Sequence, residues 1–178
     1  MKKLVLLALL LTAGLSQAQS VTFGIKGGAN FSTIDGKMGS QNLDYKTGYH
    51  VGAIMEVSLF RILDIQPEII YSTQGAKVEN GGKDIELNYI NVPIMLKLGL
   101  VPGVVNLEVG PQFGFLTDKN IAKTYETEDF DYALAGGLGV DLGNTFFIQA
   151  RYVAGLSEVS KKAELKNNTI QLSVGLYF

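Results

Sequence analysis

Six charged residues occur in separate stretches of the chain in which every second residue is apolar. They stand at the intervening positions, which are otherwise occupied mainly by glycine, serine, asparagine and glutamine. Three are acidic and three are basic: Lys26, Glu56, Glu68, Lys97, Glu108 and Arg151. If their side chains point into a narrow interior of low dielectric constant, each needs an opposite charge, because an isolated buried charge carries a heavy desolvation penalty. The pattern predicts an internal charge cluster, either a plug or a gate on an ion path.

One short connection, 101–104, predicts how two of these charges meet. If Leu100 pairs with Val105 across it, Lys97 lies directly opposite Glu108 on the next strand, which makes this the closest charge contact that the sequence offers. The interior of an eight-stranded barrel is just wide enough for its own side chains. We therefore interpret the cluster as a plug.

His50 is the only histidine in the chain. It could act as a base in a lipid-modifying enzyme, which would also need a nucleophile and an orienting carboxylate within hydrogen-bond reach. On its own face it is flanked by Gly48 and Gly52, and no serine lies two residues away. We expect no enzymatic activity, and we assign no catalytic residue, cofactor or metal site.

The elements that would position these residues are strands. After residue 20 the chain alternates apolar with small or polar residues at a period of two, and no segment sustains a helical spacing. Eight such segments can be traced, most of them longer than the roughly 9 to 11 residues that a tilted strand needs to cross a membrane. They span 21–31, 48–59, 63–74, 87–100, 105–117, 130–142, 145–156 and 169–178.

The connections between the segments alternate in length. Those at 60–62, 101–104 and 143–144 are short, whereas the other four are long. Short turns at one end and long loops at the other are typical of outer-membrane barrels. The predicted fold is all-β: an eight-stranded antiparallel transmembrane up-and-down β-barrel with short periplasmic turns and longer extracellular loops.

The period of two does not say which face is the interior, because a soluble lipocalin-like barrel would place the apolar face inward. A soluble outer face would be rich in lysine and glutamate, but here the polar face has about one charge per strand and many glycines. The apolar face carries aromatic residues toward the segment ends, as the two membrane interfaces require. These are Phe31, Tyr71, Phe130, Tyr132, Phe146 and Phe178. The membrane interpretation is therefore favoured.

Residues 1–18 have the features of a signal peptide: two lysines, an apolar run from Leu4 to Leu15, and small residues up to Ala18. The apolar run is shorter than the roughly 20 residues of a transmembrane helix. We expect cleavage after Ala18, a barrel domain over 19–178, and export to the outer membrane of a Gram-negative bacterium. The absence of cysteine means that no disulfide holds the exported domain together.

Composition excludes other classes of protein. The chain has 178 residues, of which 47% are hydrophobic and 18% charged, and its formal net charge is −2. A disordered chain would be less hydrophobic, and a nucleic-acid-binding domain would be more basic. We expect no nucleic-acid partner.

Three prolines fall inside the predicted strands, at Pro67, Pro93 and Pro111. Proline cannot donate a hydrogen bond to its neighbour in a sheet. Pro93 and Pro111 would lie almost opposite one another, so we predict a local bulge or bend there rather than a broken strand.

The stretches 63–77, 88–100, 110–116 and 170–178 together resemble the outer-membrane β-barrel domain family of small porin-like or PorT-like barrels. The most specific part is the end of the chain, where Ser173, Gly175, Leu176 and Phe178 look like a terminal barrel-assembly signal. The resemblance implies that this signal is read by the barrel-insertion machinery. It also implies a surrounding of outer-membrane lipids and lipopolysaccharide.

Two functions follow from this interpretation. The first is a structural or surface-interaction barrel with a filled lumen, which would act through its extracellular loops. The second is a small porin or secretion-accessory barrel that passes small solutes. A soluble lipocalin-like binding barrel is a more distant third. The sequence names no extracellular partner.

Overall fold

The computed structural model describes residues 20–35, 43–78, 85–119, 130–156 and 166–178. They form eight strands, which are β1 (Ser20–Asp35), β2 (Leu43–Phe60), β3 (Leu63–Val78), β4 (Ile85–Val101), β5 (Val105–Lys119), β6 (Phe130–Leu142), β7 (Phe146–Gly155) and β8 (Lys166–Tyr177). Each strand pairs antiparallel with the next, and β8 pairs with β1, so the sheet closes into a barrel. The predicted fold class is confirmed. Within these ranges no helix is long and apolar enough to span a membrane.

Six of the eight strands are longer than predicted at the end opposite the short turns. β1 continues to Asp35, where it pairs with Lys166, and β2 begins at Leu43, where it pairs with Val78. These extensions contain more polar residues than the central parts of the strands, but the antiparallel pairing continues through them. The predicted signal peptide 1–18 lies outside the described residues.

The three short turns lie at one end of the barrel, which we call the turn end; the opposite end is the loop end. Gly103 and Gly143 take φ angles of 74° and 71° in two of these turns, a left-handed conformation that glycine adopts without steric cost. Both ends of the described chain lie here too: Ser20 bonds to Ser58, and the amide of Tyr177 donates to Thr145. An even number of strands brings the two termini to the same end.

The outer face of the barrel is apolar. Large aliphatic side chains such as Ile69 and Val174 are 63% and 64% exposed, and every strand contributes residues of this kind. Aromatic residues lie toward both ends, with Tyr49 and Tyr71 in contact near the loop end and Phe60, Phe146 and Phe178 exposed at the turn end. An apolar band flanked by aromatic residues is the surface that a bilayer requires.

The inner face is polar and closely packed. Among the described residues, buried polar and charged residues outnumber buried hydrophobic ones. They include lysine, arginine, glutamate and many side-chain amides. This is the reverse of a soluble barrel, so the structure supports the membrane interpretation over the lipocalin-like one. Glycines make the packing possible: Gly137 pairs with Glu108 on one side and Arg151 on the other, and these two long side chains meet over it.

At Pro93 and Pro111 we predicted a local bulge or bend rather than a broken strand; both strands are continuous, but the bulge is wrong. The register between β4 and β5 stays constant from Tyr89 to Gly99, so no extra residue is inserted. Pairing instead skips Ile94 and Met95, opposite Pro111 and Gly110. The ladders of β3 with β4 and of β2 with β3 are interrupted in the same way beside Pro93 and Pro67. A proline removes one backbone hydrogen-bond donor from the ladder. Its fixed φ angle still suits an extended strand, so the chain continues without inserting a residue and the register is kept.

Candidate functional site

The middle of the lumen is crossed by a closed ring of five buried side chains, which we call the charge ring. Its members are Lys26 on β1, Glu68 on β3, Glu108 on β5, and Gln149 and Arg151 on β7. All come from alternate strands around the barrel. They meet at the centre because β1, β3, β5 and β7 lie a quarter of the barrel apart and these side chains project inward.

Arg151 is the centre of the ionic contacts. Its Nη1 and Nη2 atoms donate to the two carboxylate oxygens of Glu68 at 3.0 and 2.9 Å, and Nη2 also donates to Glu108 at 2.7 Å. The Nζ atom of Lys26 lies 2.8 Å from Glu68. Two bases therefore face two acids, and the ring is electrically balanced. Balance of this kind is needed because buried charges without partners are strongly destabilising.

Gln149 closes the ring. Its Oε1 accepts from Lys26 at 3.2 Å and its Nε2 donates to Glu108 at 2.8 Å. The hydrogen bonds thus run from Lys26 through Glu68, Arg151, Glu108 and Gln149 back to Lys26. Because each of the five side chains bonds to side chains on other strands, the ring links four strands, β1, β3, β5 and β7, across the lumen.

A second group, the turn-end cluster, consists of Glu56 on β2, Lys97 on β4 and Tyr177 on β8. Lys97 donates to a carboxylate oxygen of Glu56 and, at 2.9 Å, to the hydroxyl of Tyr177, which itself donates to Glu56 at 3.1 Å. The Tyr177 ring packs against Phe147 with 4.6 Å between centroids. This cluster forms a second polar layer below the charge ring.

All six charged residues predicted from the sequence face the lumen, but they form two groups rather than one. Lys97 and Glu108 are opposite in the ladder as predicted, although Val101 rather than Leu100 pairs with Val105. The predicted contact between their charges is wrong. Glu108 is taken by Arg151 across Gly137, where no side chain intervenes, and Lys97 extends instead to Glu56 and Tyr177.

Sequence reasoning missed three residues of these clusters. Gln149 completes the ring, Tyr177 completes the turn-end cluster, and Gln66 links them by donating to Glu68 at 2.6 Å and lying 3.5 Å from the Tyr177 hydroxyl. The alternation places all three on the polar face. They were not predicted because all three are uncharged, and the prediction selected charged residues only.

His50 has a serine neighbour that its own strand did not reveal. Its Nδ1 lies 2.8 Å from Asn30 Oδ1, and its Nε2 lies 2.8 Å from Ser173 Oγ on β8. Asn30 donates through its Nδ2 to Ser72 and to the Thr73 carbonyl, so its Oδ1 is the acceptor for His50. Nε2 then accepts from the serine hydroxyl.

This order of hydrogen bonds has the polarity of a hydrolase triad, with an amide in place of the usual carboxylate. However, Asn30, His50 and Ser173 are 0%, 2% and 5% exposed. A substrate carbonyl could not approach Ser173 without displacing its neighbours. The described strands also contain no group of three histidine, aspartate or glutamate side chains arranged to hold a metal ion.

Two cavities inside the barrel lie on opposite sides of the charge ring. One of about 320 Å³ opens at the turn end and reaches Glu56, Lys97 and Asn106; another of about 10 Å³ lies toward the loop end beside Gln112. Along β5, Asn106, Glu108 and Gln112 follow in that order. The ring therefore separates the two cavities.

The terminal residues that resemble an assembly signal alternate between the two faces of β8. Ser173 and Gly175 are buried on the lumen side, whereas Leu176 and Phe178 are exposed on the outer face. The ring of Phe147 lies directly over Gly175, where a larger residue would overlap it. In the closed barrel, Gly175 of this motif therefore also has a packing role, because it leaves room for the Phe147 ring.

Solved structures with this fold are small outer-membrane barrels. Neisserial surface protein A (NspA) has a TM-score of 0.62 at 10% identity, covering 90% of this chain and 100% of its own. Ail, the attachment invasion locus protein of Yersinia pestis, has a TM-score of 0.60 at 17% identity, with the same coverages. OprG from Pseudomonas aeruginosa has a TM-score of 0.55 at 13% identity, covering 92% and 99%. At these identities the likeness shows the fold alone.

Sequence comparison gives a more specific result. No curated protein sequence matches the chain. A family model described as the outer membrane protein beta-barrel domain matches residues 17–161, which includes most of the described strands. The family implies a location in the outer membrane of a Gram-negative bacterium, in agreement with the apolar outer face. The chain belongs to the outer membrane protein beta-barrel domain family.

Proposed function

We propose that the protein is a non-conducting outer-membrane barrel that acts as a scaffold for its loops, with a structural or surface-interaction role. The observation that carries this proposal is the charge ring. Its five side chains are all at most 5% exposed and close the lumen with hydrogen bonds in a complete circuit.

A solute that crossed the lumen would have to open this circuit. Any path past Glu108 separates its carboxylate from Arg151 or from Gln149, which removes a hydrogen-bond partner from a buried charge. Breaking one partner of a buried ion pair typically costs about 3–5 kcal/mol. Beside the ring, Met95, Ala135 and Val153 pack as a buried apolar group on the lumen wall. Both features support a filled lumen.

If the lumen is filled, the long loops are the parts of the protein that can bind a partner. Rigid scaffolds commonly present recognition loops, and the long connections 36–42, 79–84, 120–129 and 157–165 hold seven acidic residues and five lysines. Ail has been solved in complex with the heparin analogue sucrose octasulfate. The acidic excess here disfavours a polyanion of that type, so we expect a neutral or basic partner.

Three further parts of the proposal are supported by the sequence and by the burial of side chains. The protein is exported by a signal peptide that is cleaved after Ala18, and the mass of the mature chain tests this. It is assembled by recognition of the terminal signal at Ser173, Gly175, Leu176 and Phe178. It is not an enzyme, because the most reactive arrangement in the lumen, His50 with Ser173, is buried.

Conductance of the purified barrel in a planar lipid bilayer tests the proposal. We expect no stable large conductance from the wild type. A variant that removes two ring members, Glu68→Ala with Arg151→Ala, is expected to conduct, which shows that the assay detects an opened lumen. Arg61→Ala, at an exposed turn position, is the matched control and is expected to stay closed. Stable large conductance from the wild type would favour the small porin instead.

A further inference from the structure

The cavity of about 10 Å³ near the loop end is lined by residues of five neighbouring strands, β3 to β7, most of them polar. Asn91 on β4 and Gln112 on β5 line it, together with Tyr89 and Asp131. Asn91 and Gln112 are 2% and 4% exposed. The cavity is therefore inside the barrel wall rather than part of the open mouth.

Two of the lining atoms have no hydrogen-bond partner in the protein. These are the Nδ2 atom of Asn91, a donor, and the Oε1 atom of Gln112, an acceptor. Buried polar atoms are almost always hydrogen-bonded in native proteins, either to protein or to ordered water. The two residues that carry these atoms line the same small space, so a single bound species between them can satisfy both.

The size of the space selects that species. A cavity needs about 10–15 Å³ of this kind of volume to hold one water molecule, and this cavity has about 10 Å³. An organic ligand or a hydrated ion does not fit. The site is limited to a species of one heavy atom.

The chemistry of the lining selects water among such species. A bare cation would face the amide hydrogens of Asn91, and an anion would face the amide oxygen of Gln112 and the carboxylate of Asp131. Water both donates and accepts. It alone complements one orphan donor and one orphan acceptor.

We propose that this cavity is a binding site for one buried water molecule, which accepts from Asn91 Nδ2 and donates to Gln112 Oε1. Gly114, which pairs with Asn91 in the ladder and has no side chain, also lines the cavity. The water supplies the hydrogen-bond partners that Asn91 Nδ2 and Gln112 Oε1 lack within the protein. This site shares no residue with the ring, so it stands whether or not the barrel conducts.

NMR of the full-length barrel in lipid nanodiscs tests the site directly. We expect dipolar cross-peaks between water and the side-chain amide protons of Asn91, distinguished from proton exchange by their sign in the rotating frame. The matched internal control is the amide of Gln149, whose two polar atoms are both bonded within the protein. It is expected to show none. Absence of a water cross-peak at Asn91 in a folded sample would overturn the proposal.

A double variant gives an independent measurement. Asn91→Leu with Gln112→Met replaces both orphan groups by apolar side chains of similar size. Water-oxygen relaxation dispersion is expected to count one fewer long-lived water in the double variant than in the wild type. An unchanged count in a folded double variant would contradict the proposal. If the double variant does not fold, the wild-type cross-peak still decides.

Discussion

Arg151 on β7 holds both carboxylate oxygens of Glu68 on β3, at 3.0 and 2.9 Å, from the far side of the barrel. Two parallel hydrogen bonds from a planar guanidinium fix the orientation of both side chains as well as their separation. A lysine at position 151 could supply the positive charge, but its ammonium group could not form the two parallel hydrogen bonds to one carboxylate. The contact therefore determines how the remaining ring members are placed.

Replacement of Arg151 by methionine is expected to lower the free energy of unfolding by about 3–5 kcal/mol, because Glu68 and Glu108 would stay buried without it. Unfolding by urea from lipid vesicles measures this. Arg61→Met, at an exposed position in the β2–β3 turn, is the matched control and should change stability by about 0.5 kcal/mol or less. Equal stability of the two variants would contradict the interpretation of the ring.

The eight strands and the lumen-facing charges could be predicted from the sequence for one physical reason. In a barrel that separates lipid from a polar interior, the period of two assigns each residue to a face. The strand ends at the loop side of β1 and β8 could not be predicted in this way, since the residues there, up to Asp35 and Lys166, do not alternate. The start of β2 does alternate, at Leu43, Asp44, Tyr45 and Lys46, and the predicted boundary at residue 48 left this part out.

The partners of the charges could not be predicted, because they depend on which side chains meet across the lumen. The register of two adjacent strands can be counted from a short turn, and it places Lys97 opposite Glu108 correctly. Arg151 reaches Glu68 from a strand four positions away, and this depends on the stagger of the whole barrel. The same holds for His50 and Ser173.

A methyl group at Gly137 would overlap the backbone carbonyl of Ala150, whereas one at the adjacent Gly136 would lie 3.8 Å from its nearest neighbour, the Glu108 carbonyl oxygen. Gly137→Ala is therefore expected to impair folding or to cost at least about 1–3 kcal/mol, the range for overpacking. Gly136→Ala should fold with near wild-type stability. Heat-modifiable gel mobility and urea unfolding compare the two. Equal behaviour would show that Gly137 is not needed for close packing.

The hydroxyl of Tyr177 joins Lys97 and Glu56. Removing it in Tyr177→Phe keeps the ring on Phe147 and is expected to cost about 1–3 kcal/mol, since the two charged groups lose a buried partner. Tyr152→Phe removes a hydroxyl from an exposed residue on the outer face and is the control, for which we expect a smaller change. A larger loss in Tyr152→Phe would argue against the turn-end cluster as a stabilising unit.

Ser173 has the hydrogen bond that activates a nucleophile, but it is buried. We expect that a fluorophosphonate probe leaves the folded protein unlabelled, and that hydrolysis of lipid esters stays at background. Ser173→Ala provides the baseline for both measurements. Labelling of the wild type that disappears in Ser173→Ala would mean that the lumen admits substrates and that the protein is an enzyme.

The charge ring draws its members from β1, β3, β5 and β7, and the first and last of these, Lys26 and Arg151, are separated by most of the barrel sequence. No contiguous half of the chain contains a complete ring. An intermediate with an open seam would thus hold unmatched charges facing a narrow, poorly hydrated space. We therefore expect the ring to favour cooperative closure of the barrel, because its charges are balanced only when the first and last strands have both been placed.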